Sequence, residues 1–191
     1  MSKRETILET ALSLFNDYSY GTVGVDKIIE ESNVAKMTFY KYFPSKETLI
    51  DACLTRRKQD MQVAILNELE SFPQDDYLGK IKAIYIFYIN WFKSDNFNGC
   101  IFQKASFEIL LQYPSAIHPI KEYRNWLYNL SSSLFSKMAI NQPHILCLLY
   151  MNILDGITIY SKNNQDFESI EQSWSYIEKL IKLEKNILKY H

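Results

Sequence analysis

Cysteine is scarce and scattered: Cys53, Cys100 and Cys147 are the only three in 191 residues. Their odd number and the lack of C-x-x-C spacing argue against a disulfide framework or a zinc ribbon. Glycine and proline, five of each, are also rare. They fall between periodic segments, which leaves little room for a turn-rich β architecture. Charge of one sign is missing too. The 21 basic and 22 acidic residues balance to −1, so any attraction for nucleic acid must come from a local surface. The most apolar stretches, around Ile81–Trp91 and Ile145–Ile159, are interrupted by Lys82, Asn90, Asn152 and Asp155. They read as too short and too polar to span a bilayer. The chain opens with Lys3, Arg4 and Glu5 and has no signal-type apolar run. These absences together lead us to expect a soluble cytoplasmic protein.

Catalytic signatures are missing as well. No G-x-S-x-G, P-loop, G-x-G-x-x-G or H-E-x-x-H occurs. His118, His144 and His191 accompany no evident nucleophile or carboxylate pair. His144 and Cys147 stand one helical turn apart, but two ligands do not make a metal site. The expectation is a protein that is not an enzyme and has no metal or cofactor. A small helical enzyme and a purely protein-binding helical module are the rival readings.

What is present is helical period. Connectors such as Phe43-Pro44-Ser45, Pro73-Gln74-Asp75-Asp76, Tyr113-Pro114-Ser115 and Asn141-Gln142-Pro143 separate about nine helices, so an all-α fold is expected. Helices are expected near Lys3–Asp17, Val25–Ser32, Lys36–Phe43, from Ser45 to about Leu69, Tyr77–Lys93, Cys100–Gln112, Ile117–Met138, Pro143–Lys162 and Phe167–Lys189. Leu8, Ala11, Leu12 and Phe15 stripe the first of these. Val25, Ile28 and Ile29 form the apolar side of the second. Ser32-Asn33-Val34 reads as a tight turn with Asn33 left-handed and Val34 plugging the angle. In the next helix Phe39 and Phe43 form an inward seam. Lys36, Thr38, Tyr40, Lys41 and Tyr42 then remain for an outer or lateral face of hydrogen-bonding groups. Ser45 is a plausible N-cap, and Lys46 in the following first turn adds charge to the positive helix end. That arrangement is poor for stability and suited to a phosphate.

Residues 4 to about 57 resemble the DNA-binding domain of the tetracycline-repressor (TetR) family. The resemblance rests on Ala11, Phe15, Ile28 and Val34, and above all on Thr38-Phe39-Tyr40-Lys41-Tyr42-Phe43-Pro44-Ser45-Lys46-Glu47. It implies that Tyr40 and Lys46 hold phosphates, while Lys36, Met37, Thr38, Lys41 and Tyr42 lie near bases or backbone. Thr22 is the nearest substitute for a phosphate-binding hydroxyl that the family often carries at the positions of Val23 and Gly24. The implied architecture is a three-helix helix-turn-helix domain over residues 1–57 and a helical ligand-binding and dimerisation domain over 58–191.

The second domain is rich in aromatics, the chain holding fourteen Tyr, eleven Phe and three Trp. Trp91, Phe102, Phe107, Tyr113, His118, Tyr123, Trp126 and Tyr150 are its candidate pocket residues, with core packing the alternative for each. So many polar handles are more than a dry core satisfies comfortably, which points to an apolar or aromatic small-molecule ligand. Glu108 follows Lys104 at helical spacing, which suggests a surface ion pair. Leu149, Ile153, Ile157, Trp174, Ile177 and Ile181 form stripes suited either to a homodimer interface or to the monomer core. The resulting expectation is a homodimeric repressor that reads a pseudo-palindromic double-stranded operator and is released by ligand.

Overall fold

The computed structural model describes residues 2–187, with side chains described to Lys185. Every regular element among them is helical: α1 (Lys3–Asp17), α2 (Val25–Glu31), α3 (Lys36–Tyr42), α4 (Lys46–Glu70), α5 (Tyr77–Phe92), α6 (Ile101–Glu108), a 3₁₀ turn (Pro114–Ala116), α7 (Ile117–Lys137), α8 (Pro143–Asn163) and α9 (Phe167–Ile187). The sequence places most of these boundaries within a residue or two. The expected end of α9 at Lys189 lies outside the described residues.

Local chemistry explains the helix starts. Ser2 caps α1 by accepting from the Glu5 amide. Ser45 caps α4: its Oγ accepts from the Thr48 amide and its own amide donates to Thr48 Oγ1, both at 3.1 Å, a reciprocal capping pair. Asp76 caps α5 by accepting from Gly79 N at 2.8 Å. A Cβ on Gly79 would lie 2.2 Å from Asp76 Oδ2, so a larger residue there would have to displace the capping carboxylate. α6 departs from expectation, ending at Glu108 rather than running to Gln112. Ile109 leaves helical geometry at φ −132°. Pro114, which opens the 3₁₀ turn, holds Tyr113 out of the helical region as well.

Two compact units result. One combines the chain up to Met61 with Asn98–Tyr123, and the other combines Gln62–Phe97 with the chain from Arg124 onward. In the first, α1 packs on α2 and α3. Ile7, Leu8, Ala11, Phe15, Ile28, Phe39, Leu49 and Ile50 make its core. Of the expected apolar side of α2 only Ile28 is buried, while Val25 and Ile29 are half-buried. In the second unit α5, α8 and α9 pack against one another.

The second unit corrects two expectations from the sequence. Its buried tyrosine hydroxyls are satisfied within the protein: Tyr85 donates to the Ile170 carbonyl at 2.8 Å and Tyr150 to the Ile81 carbonyl at 2.9 Å. A core can therefore house such polar handles, and their abundance is no sign of a cavity. α8 is, moreover, long and apolar enough in composition to cross a bilayer. It has one face in the core of its unit and carries Asp155, paired with Arg124 Nη1 at 2.5 Å.

Candidate nucleic-acid interface

The α2–α3 corner follows from two residues. Asn33 adopts φ 50°, the left-handed conformation that asparagine tolerates better than most side chains. Val34, 8% exposed, fills the angle. The chain then enters α3 through Ala35, with Phe39 and Phe43 buried beneath it. Their rings lie 6.3 Å apart, and Arg4 of α1 sits over Phe43 at 5.3 Å. This seam fixes the rotation of α3 about its axis and thereby decides what faces out. Lys36, Met37, Tyr40, Lys41 and Tyr42 are exposed and Thr38 is half-buried. Met37, at 86% exposed, is an apolar side chain offered to solvent at the leading end of the helix.

Lys36 Nζ lies 3.2 Å from Asp26 Oδ1 of α2. Both side chains are largely exposed, at 65% and 87%. Such a pair is worth about 0–1 kcal/mol, so a phosphate or base edge can displace the carboxylate. Lys41 Nζ stands 5.9 Å from the Tyr42 ring. Thr22 is exposed and donates its hydroxyl to the Ser19 carbonyl at 3.0 Å.

Lys46 is placed differently from the other cations. Its Nζ donates to the Tyr20 carbonyl at 2.5 Å and lies 5.9 Å from the Tyr113 ring. Partial burial pulls its pKa below that of an ordinary lysine. Next to it, Glu47 accepts from the Ser115 hydroxyl at 2.7 Å. Two further contacts come from α6. Lys104 Nζ donates to the carbonyls of Phe15, Asn16 and Tyr18 at 3.0, 2.8 and 3.2 Å, supplying charge to the C-terminal end of α1. Glu108 Oε2 accepts from Ser19 Oγ at 2.9 Å and from Tyr20 N at 2.8 Å. The sequence reading of Lys104 and Glu108 as partners on one surface is thus replaced by a grip of Lys104 on the end of α1 and a grip of Glu108 on the loop that follows. It also missed Ser19, Tyr20 and Asp26. Asp26 had a local signal, a carboxylate in the first turn of α2. The Glu108 and Lys104 contacts join residues 86 to 89 positions apart, and no spacing rule reaches that far.

The candidate pocket residues fall in both units. In the first unit, Phe102 and Tyr123 are buried and stacked, with centroids 4.7 Å apart. Tyr113 lies by Lys46, His118 is exposed, and Phe107 is 83% exposed. In the second unit, Trp91 joins a cluster with Tyr88, Phe92 and Phe97. Trp126 is half-buried, and Tyr150 is buried against Phe135 at 5.8 Å. A groove of about 330 Å³ between the start of α8 and α9 is lined by Gln142, Ile145, Leu149 and Leu180 among others, and by none of the eight. Cys147 is buried with its thiol on the Tyr128 carbonyl, while His144 is exposed.

The candidate dimer residues also divide. Trp174, Ile177 and Ile181 are buried within the second unit, Trp174 being 5% exposed, and have little surface to give a partner. Ile153 and Ile157 are half-buried, and Leu149 is 43% exposed.

A left-handed corner, a buried seam and an outward face of lysines and tyrosines define a helix-turn-helix transcriptional regulator. Comparison with known proteins makes this specific. Residues 7–53 match the family described as "Bacterial regulatory proteins, tetR family", the part of the chain that holds α2 and α3. It is 25% identical over 190 residues to the HTH-type transcriptional repressor NemR of Escherichia coli K12, covering 93% of each chain. It is 40% identical over 85 residues to the HTH-type regulator YuxN of Bacillus subtilis, a match over 44% of this chain and only 29% of that protein. Among solved structures, SCO4454, a TetR-family regulator from Streptomyces coelicolor, superposes with TM-score 0.84 at 21% identity, covering 96% of both chains. Reduced NemR from E. coli superposes with TM-score 0.80 at 21% identity, covering 93% of this chain and 96% of that one.

Proposed function

We propose that the chain is a homodimeric, ligand-responsive repressor, acting in the cytoplasm, whose two copies of α3 read the halves of a pseudo-palindromic operator. The observation that carries DNA reading is the outer face of α3, where exposed Lys36, Met37, Tyr40, Lys41 and Tyr42 stand over the buried Phe39–Phe43 seam. The sign is supported by NemR, which is named a repressor. Dimerisation is supported by exposed apolar side chains along α8 and α9, among them Ile145, Leu148, Leu149, Ile159, Tyr160, Tyr176 and Leu183. Patches of this kind mark interfaces in soluble proteins. Response to a small molecule is supported by Ser131 Oγ and Ser161 Oγ in the second unit, both buried without a hydrogen-bond partner. Each orphaned hydroxyl costs about 1–3 kcal/mol unless a water or a ligand reaches it. A ligand that favours one state by about 1–3 kcal/mol suffices to release DNA.

Selection of bound sequences from random DNA tests the reading, followed by salt titration of variants. Lys46→Ala should weaken binding to all sequences and lower the salt slope by about 0.9 per half-site. Lys36→Ala or Thr38→Ala should cost about 1–3 kcal/mol on the selected site alone. Failure to enrich any sequence, with all three variants indistinguishable from wild type, would refute DNA reading by this face.

A further inference from the structure

We infer that Glu108, outside the helix-turn-helix, is a positioning residue for DNA binding, acting through Tyr20 to set where the Lys46 ammonium stands. The argument starts at Tyr20. Its ring is fully buried and stacked on Phe15 at 4.6 Å, and its hydroxyl donates to the Ile101 carbonyl at 3.3 Å. Its backbone is held on both sides of one residue: the amide donates to Glu108 Oε2 and the carbonyl accepts from Lys46 Nζ. Glu108 holds the loop a second time through the Ser19 hydroxyl. A movement of the Glu108 carboxylate is therefore passed to the Tyr20 carbonyl, and from there to Lys46.

Lysine needs such a guide. Its ammonium rides on a flexible four-carbon stem and carries three donors. The Tyr20 carbonyl takes one donor, leaving two for a phosphate at the start of α4. Held this way, the ammonium meets DNA already oriented instead of being ordered at the moment of binding. The inference rests on the proposed reading of Lys46 as a phosphate contact, and the test separates the two.

Elementary electrostatics predicts the opposite effect for the decisive substitution. Glu108 is exposed and anionic, so removing its charge near DNA should by itself tighten binding. If Glu108 positions Lys46, Glu108→Ala should instead weaken it by about tenfold, the scale of a lost hydrogen bond to a charged group. Glu108→Asp keeps the charge but withdraws the carboxylate by one methylene, and should weaken binding similarly. Glu108→Gln retains an oxygen that accepts from both Ser19 and Tyr20, and should bind within about twofold of wild type. Binding of the full-length protein is measured by anisotropy on a labelled mixed-sequence duplex across a salt series, with circular dichroism checking the fold. Once Lys46→Ala is present, adding Glu108→Ala should weaken binding no further. The inference is overturned if Glu108→Ala and Glu108→Asp bind as wild type or tighter while Lys46→Ala lowers the salt slope. Additive effects of the two alanine substitutions overturn it equally. An unchanged slope in Lys46→Ala removes the phosphate reading itself, and the inference with it.

Discussion

Gly156 lies in the middle of α8, is exposed, and a Cβ built on it would meet nothing within 4 Å. Nothing in the protomer requires glycine there, and glycine in a helix interior costs about 0.5–1 kcal/mol relative to alanine. It falls on the same exposed stripe as Ile145, Leu149, Asn152 and Ile159, at the four-then-three spacing of one helix face. If two copies of α8 cross at this stripe, Gly156 is where their backbones come closest. Gly156→Ala should then act in opposite directions on two quantities. In a monomeric Leu149→Arg background it should stabilise the fold by about 0.5–1 kcal/mol, raising Tm by about 2–4 °C per kcal/mol for a chain of this size. In the otherwise native protein the symmetric crossing receives a methyl from each side. Overpacking of about 1–3 kcal/mol would raise the dimer dissociation constant by roughly 5- to 150-fold. Denaturant unfolding measures the first quantity and sedimentation the second. A Gly156→Ala protein that dimerises as tightly as wild type would refute the crossing.

The same surface separates two side chains that look alike in sequence. Leu149→Arg should leave Tm nearly unchanged apart from the lost dimer and give monomers in sedimentation. Trp174→Ala, in the core, should destabilise the protomer itself by about 3–5 kcal/mol. Tyr20→Phe removes the bond to the Ile101 carbonyl but keeps the carbonyl that holds Lys46. Stability should fall by about 0.5–1.5 kcal/mol in denaturant unfolding, with DNA affinity within about twofold of wild type. Burial pushes the Cys53 thiol up and the Cys147 thiol up to about 11, while Cys100 is half-buried. Iodoacetamide near neutral pH should therefore modify Cys100 first, read by mass spectrometry. Because the folded pKa of Cys147 is raised, its contribution to stability is fully present below 9.0, the value of a free thiol. It is lost as pH rises through about 11.

Much of the head was legible because its signals are local. Asn33 announces a left-handed residue, Phe39 and Phe43 one turn apart announce a seam, and Ser45 before Lys46 announces a cap. Each signal works within four residues. The partners of Lys46, Lys104 and Glu108 were not legible for the converse reason. Each long polar side chain carries the same charge wherever it goes, and only the fold brings a backbone carbonyl or amide within reach. The partners of the buried tyrosines were hidden in a related way. A buried tyrosine hydroxyl needs one acceptor, and the Ile81 and Ile170 carbonyls supply it from distant parts of the chain.

The exposed apolar stripe of α8 was obscured by a different ambiguity. Helical period reveals a buried face only when the opposite face is polar. On α8 both faces are apolar. Leu146, Tyr150, Met151 and Leu154 are buried within the protomer, whereas Ile145, Leu148, Leu149, Ile159 and Tyr160 are exposed. With no polar side to fix the phase, any apolar residue of α8 could be assigned to either role. α9 gives the contrasting case: Trp174, Ile177 and Ile181 are buried while most positions between them are exposed. An amphipathic helix such as α9 needs one apolar neighbour, and its own unit provides it. A helix apolar on both sides needs two. The described residues of the protomer cover only one side of α8, and a second copy of the chain, bringing an identical stripe to a two-fold axis, would cover the other without exposing new apolar surface.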